Sequence, residues 1–266
     1  VKLCVIGGAG ARSAFLTKSL VKSTRDIRVD HIVLLDNDQQ KLKTYGEISR
    51  ELSRRLDPDL TFEVTSDARA ALTGVDYIIT TIRAGGDAGR LFDEQTCLAH
   101  GVLGQETTGA GGFAMAIRSV PTLVYYCTLA REVANPGHLI FNFTNPSGII
   151  TQALRSKGFD NVYGICDAPS GFIKQLEEIL EIPYGTLDIE CYGLNHLSWF
   201  RNAKVNGRDV QRELLDNPRT YEHSEMRLFT REMARISGDC MLNEYLYFYY
   251  RRVKSLSMIQ KADHPR

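Results

Sequence analysis

The sequence has 266 residues, 43% of them hydrophobic, enough to bury one large core or two ordinary ones. Lys plus Arg and Asp plus Glu number 32 each, a balance that argues against a polyanionic partner such as nucleic acid or an acidic membrane surface. No apolar run reaches the roughly 18 residues of a membrane span and no leader pattern precedes the first strand, so the expected protein is soluble, cytoplasmic and without a membrane partner.

Val1–Ile6 reads as an apolar strand, followed by a glycine turn and an amphipathic helix from near Arg12. His31–Asp38 is a second buried strand ending in acid, residues 39–56 carry a helical pattern, and Thr61–Asp67 alternates as a strand. DYIITTIRAGG is a further strand running into a glycine loop; a long helix covers Phe113–Val133; HLIFNFTNP is a fifth strand stopped by Pro146, and VYGIC a sixth. Continuous apolar strands alternating with helices predict a doubly wound parallel α/β sheet.

After Cys166 the pattern changes. A helix over Phe172–Leu180 precedes short strands near DIECYG and AKVNGRDV and a polar stretch from Asn217 to Gly238. The boundary is placed at 168/169, with an α+β domain over 169–266, and the ending KADHPR predicts that a carboxy-terminal portion is missing. The six cysteines, Cys4, Cys97, Cys127, Cys166, Cys191 and Cys240, form no C-x-x-C pair, against a disulfide framework or zinc ribbon. Most are expected to be buried small apolar residues.

Gly8-Ala-Gly10-Ala-Arg-Ser13 lies between strand and helix, the context of a dinucleotide fingerprint, with Ser13 where a third Gly or Ala is usual. The two glycines allow pyrophosphate to approach backbone N–H groups at a helix N-terminus. Asp36 ends the second strand, placed to accept from ribose hydroxyls, and the absence of a nearby Arg favours NAD over NADP. The alternative is a glycine turn that binds another nucleotide or none.

Cys166 and His196 could be metal ligands or two ordinary core residues, and spacing does not choose. Asp167 could be an acid or the cap of the helix near Pro169. Asn142 and Asn145 read as polar groups at a strand end facing a ligand cleft. NEYLYFYY, Asn243–Tyr250, reads as a core or interface face rich in tyrosine.

Taken together, VIGGAGARS, LLDND, IRAGGDAGRLFDEQ, GQETTGAGG, FNFTNP, GICDAP, GLNH and NEYLYFYY, in this order, resemble glycoside hydrolase family 4. The resemblance implies a Rossmann-like NAD domain followed by a substrate and metal domain, as in the lactate and malate dehydrogenases. It implies NAD and Mn²⁺ as cofactors, Cys166 and His196 as metal ligands, and Tyr245, with Tyr249 as second choice, as the base that removes the proton at C2 of the sugar. Asp167 would be the acid assisting the leaving group. Arg83, Arg90, Glu106 and Asn145 match cleft positions, Arg83 on the cofactor side, although either arginine could instead pair with Asp93 or Glu94.

The implied chemistry is oxidation at C3, deprotonation at C2, elimination, water addition and hydride return, outside the paired-carboxylate scheme. The implied substrate is a 6-phosphorylated disaccharide or glucoside, and the implied assembly a homo-oligomer, dimer or tetramer. CD at 166–167 points to 6-phospho-α-glucosidases; FNFTNP and KVNGRDV point to the β group, which is preferred. An unphosphorylated α-glycosidase, a 2-hydroxy acid dehydrogenase and a silent NAD-binding regulator are the competing readings.

Overall fold

The computed structural model describes residues 1–261. The chain divides into two compact units: Val1–Leu91 with Gly112–Ile165, and Phe92–Gly111 with the chain from Cys166 onward. Residues 92–111, which chain order alone places with the first unit, belong with the second.

The first unit is built on six parallel strands: β1 (Lys2–Ile6), β2 (His31–Leu35), β3 (Thr61–Thr65), β4 (Tyr77–Thr80), β5 (Leu139–Asn142) and β6 (Val162–Gly164). Their order, β3-β2-β1-β4-β5-β6, reverses direction at β1, the Rossmann arrangement whose first crossover faces a dinucleotide. Strand periodicity explains the continuous apolar runs. Cys4, Ile6, Val33 and Leu35 point into one cluster with Leu123, Cys127 and Ala130 of the helix Gly109–Val133. Leu3, Val5, Ile32 and Leu34 point into the opposite one with Val21 of the helix Ser13–Ile27. Cys4 and Cys127 are thus core residues, and burial pushes both thiols up to about 12.

Three local differences from the sequence reading have physical causes. The helical region at 39–56 is broken by a π turn at Leu42–Gly46, where a Cβ on Gly46 would stand 2.5 Å from Val64 Cγ1. The fifth strand ends at Asn142, before Pro146, because Thr80, Thr144 and Thr151 draw the Asn142 amide into a side-chain network. The helix Gly109–Val133, with 25 residues, does reach the length and apolar content of a membrane span, counter to the sequence reading; its Leu123, Cys127 and Ala130 pack in the core beside the sheet, while Phe113, Ile117 and Tyr125 are exposed.

The second unit has an antiparallel sheet in the order β10-β8-β7, formed by β7 (Leu187–Leu194), β8 (Leu197–Val205) and β10 (Met241–Leu242), with β9 (Arg208–Asp209) paired to β8. The helix Ala168–Leu180 lays Phe172, Leu176 and Ile179 on this sheet. Phe172 and Phe200 meet edge to face, centroids 4.9 Å apart, both fully buried. Truncating Phe200 to Ala is expected to lower unfolding free energy by about 3–5 kcal/mol, read by urea denaturation.

Candidate active site

The candidate residues are distributed over the two units. In the first, Gly7 and Gly8 donate their N–H groups to Leu35 O at 2.8 and 3.0 Å, hooking the turn after β1 onto the end of β2. Asp36 follows β2, and its Oδ2 accepts the Ala9 N–H at 3.1 Å while Oδ1 accepts that of Asp38. The carboxylate therefore braces the glycine turn and retains lone pairs for a further donor. Asp38 is occupied otherwise, as the cap of the helix Gln39–Lys41.

The two fingerprint glycines are required for different reasons. A Cβ on Gly8 would stand 2.9 Å from both Val5 O and Leu34 Cβ, so the fold itself demands glycine. A Cβ on Gly10 would meet nothing within 4 Å, so the vacant volume there suits a ligand rather than a neighbour. Ser13 starts the helix and is buried, the packing position of the fingerprint, and Arg12 before it supplies no side-chain cap. Uncapped N–H groups at a helix start suit an anion. These residues fit a dinucleotide.

Arg83 follows β4 and pairs with the exposed Asp87. Arg90 is half-buried on the same helix, Gly86–Ala99. Asn145, half-buried, precedes a cis Pro146. Asn142, by contrast, is fully buried and serves the fold: Oδ1 accepts from Thr80 at 2.8 Å and Nδ2 reaches Thr151 Oγ1 at 3.2 Å. Its reading as a cleft group is corrected accordingly.

In the second unit Glu106 lies in a tight loop. Gln105 Oε1 accepts the N–H groups of Thr107 and Thr108, and a Cβ on Gly111 would stand 2.6 Å from Gln105 O. Gly104 and Gly111 of GQETTGAGG are thus explained by close backbone packing, and Gly109 by its left-handed φ of +65°.

His196 occupies the second position of the two-residue turn joining β7 to β8 and takes φ +59°, the left-handed region that favours glycine. Its Nε2 lies 3.3 Å from Cys166 Sγ. Asp167 stands at the N-cap position of the helix Ala168–Leu180 yet makes no capping bond; its Oδ1 is 4.0 Å from Cys166 Sγ. The capping alternative is therefore removed. Tyr245 stacks on the imidazole, centroids 4.5 Å apart and planes 21° from parallel, while Tyr249 is 52% exposed, a turn further along. Burial lowers the His196 pKa below its usual value, which favours the neutral ring with a lone pair. Among the described residues Nδ1 has no hydrogen-bond partner.

A thiol–imidazole hydrogen bond satisfies the 3.3 Å contact, and so does a shared ion. Two ligand bonds of about 2.3 Å to sulfur and 2.1 Å to nitrogen, at angles of about 90–110°, separate the donors by roughly 3.1–3.6 Å. Among the described residues no third His, Cys, Asp or Glu completes a metal cluster. A two-donor set leaves coordination positions open, as catalytic rather than structural metal sites do. These residues fit a catalytic divalent ion.

The sequence model described as Family 4 glycosyl hydrolase matches residues 2–182, and that of its C-terminal domain matches residues 191–265. This chain belongs to glycosyl hydrolase family 4. Among family relatives, the 6-phospho-beta-glucosidase BglT of Thermotoga maritima is 35% identical over 219 residues, 82% of this chain and 51% of its own length. The phospho-alpha-glucosidase PagL of Clostridium acetobutylicum is 30% identical over 267 residues, 93% of this chain and 59% of its own. A structure of the Thermotoga maritima 6-phospho-beta glucosidase with manganese, NAD⁺ and glucose-6-phosphate superposes with TM-score 0.88 at 30% identity, covering 99% of this chain and 62% of that one. The chain thus spans about half the length of the curated relatives it matches.

Sequence reasoning missed Glu225. It opens a short 3₁₀ helix, Glu225–Leu228, in the stretch read only as polar, yet it is 9% exposed, and burial pushes its carboxyl up to about 7. Between pH 4.5, the ordinary value, and about 7 the unfolded chain loses this proton before the folded one, so the contribution is full below 4.5 and disappears as pH rises. Wild type should lose about 3 kcal/mol across that window from this group, and E225Q should not, as measured by denaturation at pH 4.5 and pH 8.

Proposed function

We propose that this protein hydrolyses glucosides phosphorylated at O6, with preference for the β anomer, and depends on NAD and a divalent ion such as Mn²⁺. The observation that carries the reading is the convergence of Cys166 and Tyr245 on the imidazole of His196, in a chain whose glycine turn leaves room for a dinucleotide. The relatives named above act on phosphorylated glucosides of either anomer, and one binds manganese, NAD⁺ and glucose-6-phosphate.

In this reading Gly8, Gly10 and Ser13 shape the dinucleotide seat, Asp36 accepts from the ribose hydroxyls, and Arg83 lies on the cofactor side. Cys166 and His196 hold the ion. When bound, NAD would supply redox chemistry at the sugar ring and the ion held by Cys166 and His196 would supply Lewis-acid polarisation. Tyr245 takes the C2 proton onto its phenolic oxygen. A phenol of reference pKa about 10 becomes a usable base only beside positive charge. Asp167, its carboxyl exposed and uncommitted to a cap, gives a proton to the departing oxygen at C1. Arg90, Glu106 and Asn145 are assigned to the phosphorylated sugar, for which a guanidinium offers paired donors.

The α anomer is the second reading, favoured by the Cys166-Asp167 dipeptide. Elimination leaves C1 without its stereochemistry, so the two anomers can share this machinery.

Release of p-nitrophenol from both anomeric 6-phosphoglucosides is the test, with NAD and Mn²⁺ present and each withheld in turn. Turnover is expected only with both, faster on the β anomer, and with no net absorbance change at 340 nm. A lasting change at 340 nm without metal would establish a simple dehydrogenase instead. In the same assay Y245F should slow loss of deuterium from C2 while Tyr249→Phe should not.

A further inference from the structure

The residue that sequence reasoning missed ties together the elements on which the candidate site stands. Glu225 donates its own N–H to Gln175 Oε1, at 3.0 Å, on the helix Ala168–Leu180 that begins directly after Cys166 and Asp167. Its Oε2 accepts twice, from Asn243 Nδ2 at 2.9 Å and from the Glu244 N–H at 3.2 Å. Asn243 in turn accepts the Tyr245 N–H on Oδ1 at 3.2 Å. The Asn243 N–H donates to Ser198 O at 3.0 Å, on β8, two residues beyond His196. Asn243 is buried, so both ends of its amide are committed and its orientation is fixed.

We propose that Glu225 is a positioning residue: through the hydrogen bonds it accepts from Asn243 and Glu244 it fixes the turn Asn243–Tyr245 and holds the Tyr245 phenol on the His196 ring. The proposal rests on the reading of Tyr245 as the C2 base. Tyr245 itself is the N-terminal boundary residue of the five-residue helix Leu246–Tyr250, too short to hold its own start in place. The anchor must come from outside that helix, and Glu225 supplies it. A carboxyl is a costly choice for a purely structural strut, since burial opposes its charged form and Glu244 nearby adds repulsion. Costly buried carboxyls concentrate where function uses them.

The test uses the protein with NAD and Mn²⁺ and three variants, E225A, E225Q and Y245F. Gln keeps an oxygen acceptor where Glu225 Oε2 stands; Ala does not. E225A is expected to lower kcat about 100-fold with KM for the phosphoglucoside unchanged, as displacement of a reacting group by about 1 Å does. The isotope effect with C2-deuterated substrate should rise, and E225Q should restore both. Independently of turnover, amide hydrogen exchange at Glu244 and Tyr245, without cofactor, metal or sugar, should accelerate in E225A and return to wild-type protection in E225Q. If E225A does not fold, Asn243→Ser removes the same link, with the same expectations.

Y245F that loses C2 deuterium at the wild-type rate overturns the base reading and this proposal with it. With Y245F slow, an E225A enzyme of unchanged kcat and isotope effect overturns the positioning role alone. E225Q as impaired as E225A despite normal amide protection also overturns it, because charge and not placement would then be at work.

Discussion

The contact between Cys166 Sγ and His196 Nε2, 3.3 Å across 30 residues of chain, is set by backbone before it is set by side chains. His196 sits at the tip of β7–β8 with φ +59°, where a two-residue turn leaves no slack. Just before it, Gly193 takes φ +118°, and any Cβ there would press on Leu197 O. The imidazole is therefore presented by a rigid hairpin. Its two sides are then taken by a thiol and a stacked phenol ring, and its burial favours the neutral form, in which a ring nitrogen can serve as donor to an ion. Each further feature of the candidate site, from the uncapped carboxylate of Asp167 to the anchoring of Tyr245, is arranged around a ring that cannot move away.

The parallel sheet was legible in the sequence because its physics is local. Strands buried on both faces must be apolar at every buried position, and the chain says so in LCVI and IVLL, after the half-buried Lys2 and His31. The glycine turn was legible too, but not the division of labour within it: that Gly8 serves the fold and Gly10 leaves room for a ligand depends on Leu34 and Val5 lying close to one and nothing lying close to the other. Cys166 and His196 were illegible from spacing, since only folding brings them together, and it took resemblance to raise them above core residues. Asp167 satisfied the sequence rule for a helix cap and yet makes no capping bond. Glu225 left no sequence signal, because a Glu in a polar stretch is ordinarily solvated. It is buried by residues 18 and 19 positions later, Asn243 and Glu244, that close over it.

The polar features of the second unit are unfavourable in isolation. A left-handed His, a half-buried imidazole whose Nδ1 has no partner among the described residues and a carboxyl pushed up to about 7 each destabilise the folded chain. The compensation lies alongside: Phe172, Leu176, Phe200, Met226 and Met241 form a continuous apolar cluster, and Met226 follows Glu225 directly in the chain. The residue that anchors the turn and the residue that anchors the core are thus adjacent, so the turn cannot loosen without disturbing a buried methionine. Precision at the polar end depends on packing at the apolar end.

This coupling also explains why the tyrosines of Asn243–Tyr250 are not interchangeable. They alternate in environment along one short helix: Tyr247 is buried against Phe229, Tyr249 and Tyr250 face outward, and only Tyr245 stands at the helix start, where the backbone is fixed from outside. A side chain at a helix start is oriented by whatever restrains the preceding residues, here the Asn243 amide and the carboxyl behind it. A tyrosine one turn later would move with the helix, and its hydroxyl would follow solvent rather than the hairpin. Position relative to the anchor, not residue type, is what sets Tyr245 apart from its neighbours.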